Sequence, residues 1–279
     1  LVKHCKWLIA NDVGLAVFGT NSEANSMSTR EKLRLLDALA ESGLPTERMM
    51  PGTGACALDD SVELTKRAVE LGCGGVLMLP PFYYKGVSEE GLYRNFSEII
   101  QRVGDDKLRI YLYHIPPVAQ VGIPLGLIER LLKDYPGIVA GAKDSSGDWD
   151  NTKAMIDGFA AEGFDVYPGS ETFLLQGLRA GGAGCISATA NVNPGPIAKL
   201  AATWQGDDAD AQQEGLNVTR GIFQTYVMIP ALKAAIAHYG RDAAWNRLRP
   251  PLVELTEAEQ QELAKNLDAS GFSMPGLAA

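Results

Sequence analysis

The stretch VAGAKDSSGDWDNTKAMIDG, residues 139–158, holds the pattern on which the fold turns. Its opening, Val139 to Lys143, is a run of small and β-branched residues that ends on a polar side chain, as a buried parallel strand does. A polar, Gly-containing turn follows, and from Trp149 the apolar residues return at helical spacing. One strand and one helix in that order make half of a βαβ unit.

The same rhythm extends in both directions. Candidate strands fall at 13–19, 49–52, 75–79, 109–113, 139–143, 165–168 and 183–187. Between them lie candidate helices at 29–42, 61–71, 89–102, 124–132, 149–158 and 172–180, several opening on Ser, Thr or Pro. Gly72, Gly181 and Gly182 follow helix ends, where a left-handed residue turns the chain back to the sheet. This alternation predicts an α/β fold, a (β/α)8 TIM barrel. A closed barrel needs eight strands, and the sequence opens in a helix-like segment at 1–11 without an initiator Met, so a first strand is expected upstream of Leu1. After Ser187 only helices are expected, at 193–206, at 209–239 with an interruption at Pro230, and at 256–268. The expected division is a barrel over 1–206 and a C-terminal helical region over 207–279.

Composition narrows the function classes. With 279 residues, 46% apolar and 21% charged, the chain reads as one main globular domain. A net charge of −9, with no Lys and Arg cluster interleaved with aromatics, argues against a nucleic-acid partner. No run of about 20 apolar residues suggests a membrane span, and the charges near the start leave no signal-peptide core, so the cytoplasm is expected. Cys5, Cys56, Cys73 and Cys185 show no CxxC spacing and read as buried reduced thiols. His4, His114 and His238 form no metal-binding pair, and Gly52–Gly54 lacks the third glycine of a dinucleotide loop. Neither a metal nor a cofactor is expected.

Barrel enzymes carry their chemistry at the carboxyl ends of strands. Those ends hold Thr20 and Asn21, Tyr83, Tyr113 and His114, Lys143 and Asp144, Gly169 to Glu171, and Ser187. Ala140 and Ala142 leave room for Lys143 to run along the interior, where burial disfavours the ammonium form and favours an amine able to attack a ketone. The same spacing also fits a lysine that snorkels past the strand end into solvent. Tyr113, on the preceding strand, fits a proton shuttle and equally an aromatic cap on the core. Thr20 and Asn21 fit a carboxylate-binding turn or a simple helix cap. His114 alternates to the opposite face and reads as structural. The run Pro80–Tyr84 is an aromatic loop end that fits a site lining or a subunit contact.

Five ordered segments, Gly19-Thr20-Asn21-Ser22-Glu23, Leu79-Pro80-Pro81-Phe82-Tyr83, Tyr111-Leu112-Tyr113-His114-Ile115-Pro116, Gly141-Ala142-Lys143-Asp144-Ser145-Ser146-Gly147 and Gly184 to Asn191, resemble the dihydrodipicolinate synthase and N-acetylneuraminate lyase family across nearly the whole chain. The resemblance implies a Schiff base between Lys143 and pyruvate or another 2-keto acid, with Tyr113 as general acid/base. It implies that Thr20 relays the proton, that Tyr83 completes the relay from a neighbouring subunit, and hence a homotetramer or homodimer. It also implies that Ile186 meets the substrate through its backbone and that Asn21 lies where the pyruvate carboxylate is gripped. The chain departs from the family at Asn21 and Ser22, where a second Thr and a Gly are usual, and at Val118, where the dihydrodipicolinate synthases carry a carboxylate-clamping arginine. Valine supplies no bidentate charge. A lyase cleaving or condensing a 2-keto acid with an aldehyde is therefore the leading expectation. A keto-deoxy sugar acid dehydratase, dihydrodipicolinate synthase itself and a non-catalytic ligand-binding homologue are its alternatives.

Overall fold

The computed structural model describes residues 1–278. Four strands, β1 (Val76–Met78), β2 (Ile110–His114), β3 (Val139–Asp144) and β4 (Asp165–Pro168), form one parallel sheet in chain order. They answer to four of the seven expected strands.

The other three expected strands are present as hydrogen-bonded segments too short for a ladder. Leu15 bridges Met49 and Gly52 bridges Leu77, with Met50 N donating to the Leu15 carbonyl at 2.8 Å and Leu77 N to the Pro51 carbonyl at 2.9 Å. The first of these segments ends where Phe18 takes a left-handed conformation at φ 61, which breaks extended pairing. At the other edge Ala183 N donates to the Val166 carbonyl at 3.0 Å and Ile186 N to the Pro168 carbonyl at 3.1 Å, while Gly184 at φ 143 interrupts the run between them. Seven segments thus bond in sequence order, the arrangement of a (β/α)8 barrel. Neighbouring segments approach closely at Gly52, where a Cβ would stand 2.3 Å from the Phe18 carbonyl oxygen, so the left-handed turn and the missing side chain accommodate each other.

The described residues divide into two compact units. One comprises Gly14–Gly169 and Gln176–Ile186, and holds the sheet. Its strand residues Val76, Met78, Leu112, Val139, Ala142 and Val166 are buried, Leu77 packs in one cluster with Tyr113, Ile115 and Ala119, and helices Thr29–Glu41, Leu58–Glu70, Glu89–Val103, Leu125–Asp134 and Trp149–Phe159 each bury an apolar face. Ser28 and Glu31 close a capping box at the first of these helices, satisfying N–H groups that have no helical partner.

The other unit comprises Leu1–Val13, Ser170–Leu175 and the chain from Ser187 onward. It is helical: Val2–Ala10, Pro194–Thr203, Ala209–Gln224, Met228–Gly240 and Glu257–Ala269. The expected interruption at Pro230 falls earlier, at 225–227. Pro230 lies in the first turn of Met228–Gly240, where its missing N–H would have had no helical acceptor. Among the described residues no disulfide joins the four cysteines; Cys5 is buried as expected, whereas Cys73 and Cys185 are half-buried and Cys56, in the loop before Leu58–Glu70, is exposed.

His4 is buried in this unit at 5% exposure, its ring 5.6 Å from that of Trp7 and 5.0 Å from that of Trp245, and neither ring nitrogen has a hydrogen-bond partner. Burial pushes the imidazole down from 6.5 to about 4. Between those values the unfolded chain binds the proton and the folded chain does not, so stability is full above pH 6.5 and falls as pH drops toward 4. The loss amounts to about 3 kcal/mol, since each tenfold change in proton affinity is worth about 1.4 kcal/mol. Urea melts of wild type and His4→Leu across this range are expected to differ in slope, the variant lacking the extra acid sensitivity; parallel curves would contradict the assignment.

Candidate active site

Tyr113 and Lys143 are register partners across β2 and β3, so their side chains leave the same face of the sheet at its carboxyl end. Lys143 Nζ donates to the Tyr113 hydroxyl at 3.2 Å and stands 4.3 Å from the centroid of its ring. Thr20 reaches the same oxygen from another side, with 3.2 Å between Thr20 Oγ1 and the phenol. It is carried there by the short 3-10 turn Thr20–Ser22, directly after the left-handed Phe18. Lys143 is 5% exposed and Tyr113 3%, which removes the solvent-snorkelling alternative for the lysine. Three of the expected catalytic side chains therefore share one buried cluster.

The electrostatics of Tyr113 combine opposing effects. Burial raises its phenol, but the charge of Lys143 and hydrogen bonds from Thr20, Lys143 and Ser145 outweigh this, and the group lies below its ordinary value. A phenol so placed gives up and takes back a proton more readily at neutral pH.

The alternate residues build scaffold. Asp144 points away from Lys143 and accepts from Ser146 N at 2.9 Å, Asn151 Nδ2 at 2.9 Å and Thr152 Oγ1 at 2.7 Å, tying the start of helix Trp149–Phe159 to β3. His114 accepts from Ile123 N at 2.8 Å through Nδ1, the structural role expected of it. Glu171 and Ser187, also strand-end residues, hydrogen-bond each other, and Glu171 further accepts from Thr189 and, at 3.4 Å, from Arg220. That network is internal to the helical unit.

The remaining expected site residues are dispersed. Asn21 is half-buried in the same turn as Thr20, and Ile186 is half-buried with its N–H committed to Pro168. Tyr83 is 74% exposed and Val118 62%, and neither bonds to the Lys143 cluster within one chain. Lys85 Nζ donates to the Ala119 carbonyl at 2.7 Å and also to that of Phe82, fastening the aromatic loop to the short helix Pro116–Ala119.

Sequence reading missed Lys32. It is 7% exposed and lines a small cleft with Gly19, Thr20, Asn25, Gly52 and Tyr113. Burial pushes its ammonium down, with the charge of Asp60 partly offsetting this. The available signal was its spacing, since Lys32, Leu36 and Leu39 lie on one face of helix Thr29–Glu41 and all three are buried. Among the described residues no group of three His, Cys, Asp or Glu side chains is placed to hold a metal ion, and no helix is long and apolar enough to cross a membrane.

Known proteins match this arrangement over almost the full chain. The model of the dihydrodipicolinate synthetase family covers residues 3–270. An uncharacterised DapA-like lyase of Chloroflexus aurantiacus is 35% identical over 88% of this chain and 81% of its own length. A 4-hydroxy-tetrahydrodipicolinate synthase of Desulforamulus reducens is 32% identical over 95% of this chain and 88% of its own. The crystal structure of dihydrodipicolinate synthase from Agrobacterium tumefaciens superposes with a TM-score of 0.88 at 28% identity, covering 96% of this chain and 91% of that one. A chain with this barrel and these relatives belongs to the dihydrodipicolinate synthetase family, and it is a lyase of the aldolase type.

Proposed function

We propose that Lys143 captures a 2-keto acid, pyruvate or a 2-keto-3-deoxy acid, as a Schiff base and uses it to make or break a carbon–carbon bond to an aldehyde. The observation that carries this reading is the buried 3.2 Å contact between Lys143 Nζ and the Tyr113 hydroxyl. In the capture step Nζ bonds to the keto carbon and the carbonyl oxygen leaves as water, with Tyr113 placed to pass the protons between amine and departing oxygen. In cleavage the electrons of the breaking bond flow into the protonated imine, and the substrate hydroxyl that becomes the aldehyde gives its proton to the Tyr113 and Thr20 pair. The resulting enamine regains a proton and is hydrolysed from Lys143.

Asn21 and neighbouring backbone N–H groups orient the carboxylate in this reading, and the Ile186 backbone contacts the bound acid. Tyr83 reaches the relay of another copy, consistent with its 74% exposure beside Tyr84, in a cytoplasmic homotetramer or homodimer. The relatives named 4-hydroxy-tetrahydrodipicolinate synthase point to one aldehyde, yet Val118 offers no charge to a second carboxylate, which favours a less acidic aldehyde partner.

Intact-mass measurement after borohydride reduction with pyruvate is expected to show one covalent adduct per chain, absent in Lys143→Ala together with turnover; an adduct on the variant would refute the nucleophile. Tyr113→Phe is expected to lower kcat about 100-fold or more while still trapping pyruvate slowly, as loss of a general acid/base does. Unchanged kcat would remove Tyr113 from the chemistry. Sedimentation velocity is expected to show an assembly that Tyr83→Asp weakens, and a wild-type monomer with full turnover would exclude the shared relay.

A further inference from the structure

The loop at 80–87 carries Tyr83 and Tyr84, each 74% exposed and set edge to face with 5.3 Å between ring centroids. Among the described residues, nothing in this loop makes a hydrogen bond from main chain to main chain, and Pro80 and Pro81 have no N–H to offer. Such a loop keeps one conformation only if side chains hold it. Lys85 does so: its Nζ donates to the Phe82 carbonyl inside the loop and, at 2.7 Å, to the Ala119 carbonyl outside it. The chain turns sharply just after the lysine, where Gly86 takes the left-handed region at φ 65.

Among the described residues neither carbonyl has a main-chain donor. Ala119 ends the one-turn helix Pro116–Ala119, so the ammonium meets an oxygen that the helix itself leaves without a donor. The two tied residues adjoin others that matter to the site. Phe82 precedes Tyr83, and Ala119 follows Val118. Ala119 belongs to the buried cluster that holds Tyr113 with Leu77 and Ile115, and Phe82 packs against that cluster. Lys85 therefore joins the root of Tyr83 to the wall around Tyr113.

We infer that Lys85 is a positioning residue for proton transfer: by fastening the Tyr83 loop to helix Pro116–Ala119, it sets where the Tyr83 hydroxyl is presented to a second copy of this chain. The inference rests on the proposed reading in which Tyr83 completes a neighbouring copy's relay. Lys85 bonds to neither Lys143 nor Tyr113 and acts through the loop alone. A hydroxyl displaced by about 1 Å hands on protons far more slowly.

The test uses the assembled protein and pyruvate alone, whose methyl hydrogens exchange with deuterium of heavy water through the imine and its enamine, the proton passing by the relay. NMR follows the exchange as a maximal rate and a KM for pyruvate. Rates are taken per chain that borohydride traps with pyruvate, so incomplete folding of a variant does not register as slowness. Lys85→Met, which keeps the stem and removes the donors, is expected to lower the maximal rate about tenfold with little change in KM. Lys85→Arg, which keeps donors within reach of both carbonyls, is expected to restore most of that loss. In a Tyr83→Phe background the same Lys85→Met change is expected to cost less than about twofold, because two changes that act through one hydroxyl do not add. Equal losses in the two backgrounds, an unchanged rate in Lys85→Met, or equal rates in the Met and Arg variants would overturn the assignment. Absence of trapping in wild type would sink the Schiff-base reading and a full rate in Tyr83→Phe the shared relay, whereas trapping, a slowed Tyr83→Phe and an unslowed Lys85→Met together would sink only the role of Lys85.

Discussion

Everything at the site depends on one pairing across β2 and β3, in which Tyr113 lies opposite Lys143 in a parallel ladder. Burying a lysine costs free energy unless polar groups receive it, and here the receiving group is the phenol 3.2 Å away. The pair is satisfied only because the ladder sets both side chains on one face at one height. Were the two strands offset by a residue, the amine would face helix Trp149–Phe159 and lose its partner. The sheet is thus more than a support, since its register brings the Lys143 amine and the Tyr113 phenol together before any ligand arrives.

Much of this was legible in sequence because the βα rhythm is a periodic signal. The run ending at Lys143 and the one ending at Tyr113 were recognisable as strands, and alternation then assigned His114 to the opposite face without further information. The segments near 13–19 and 183–187 were harder. Phe18 adopts a left-handed conformation that its residue type does not announce, and Gly184 turns a run that otherwise reads as a strand. Pro230 misled in the other direction, since a proline within a helical pattern marks a break only when it lies beyond the first turn.

Side chains that act through packing left a weaker trace. Lys32 carries no mark of burial in sequence beyond its spacing with Leu36 and Leu39, and all three are buried. Lys85 directly follows the aromatic run at 80–84, and nothing in one dimension shows that its ammonium meets a carbonyl 34 positions later. Asn21, Ser22 and Val118 were readable as departures because they interrupt otherwise matching segments. What those departures select for depends on the shape of a bound acid, which no spacing encodes.

The alternation at the end of β3 has a consequence for how such a protein can change over generations. Lys143 and Asp144 are adjacent yet serve different masters: one faces Tyr113, the other fastens the following helix through three hydrogen bonds. A one-residue deletion earlier in this strand would move Asp144 into the place of Lys143 and Ser145 into the place of Asp144, setting a carboxylate beside the phenol and leaving three donors without their carboxylate acceptor. Both errors arrive in one genetic event, so the strand is closed to length variation and innovation is confined to point replacements and to the loops beyond. Diversity among such enzymes should accordingly accumulate around an invariant metre, as new verses are set to an old tune.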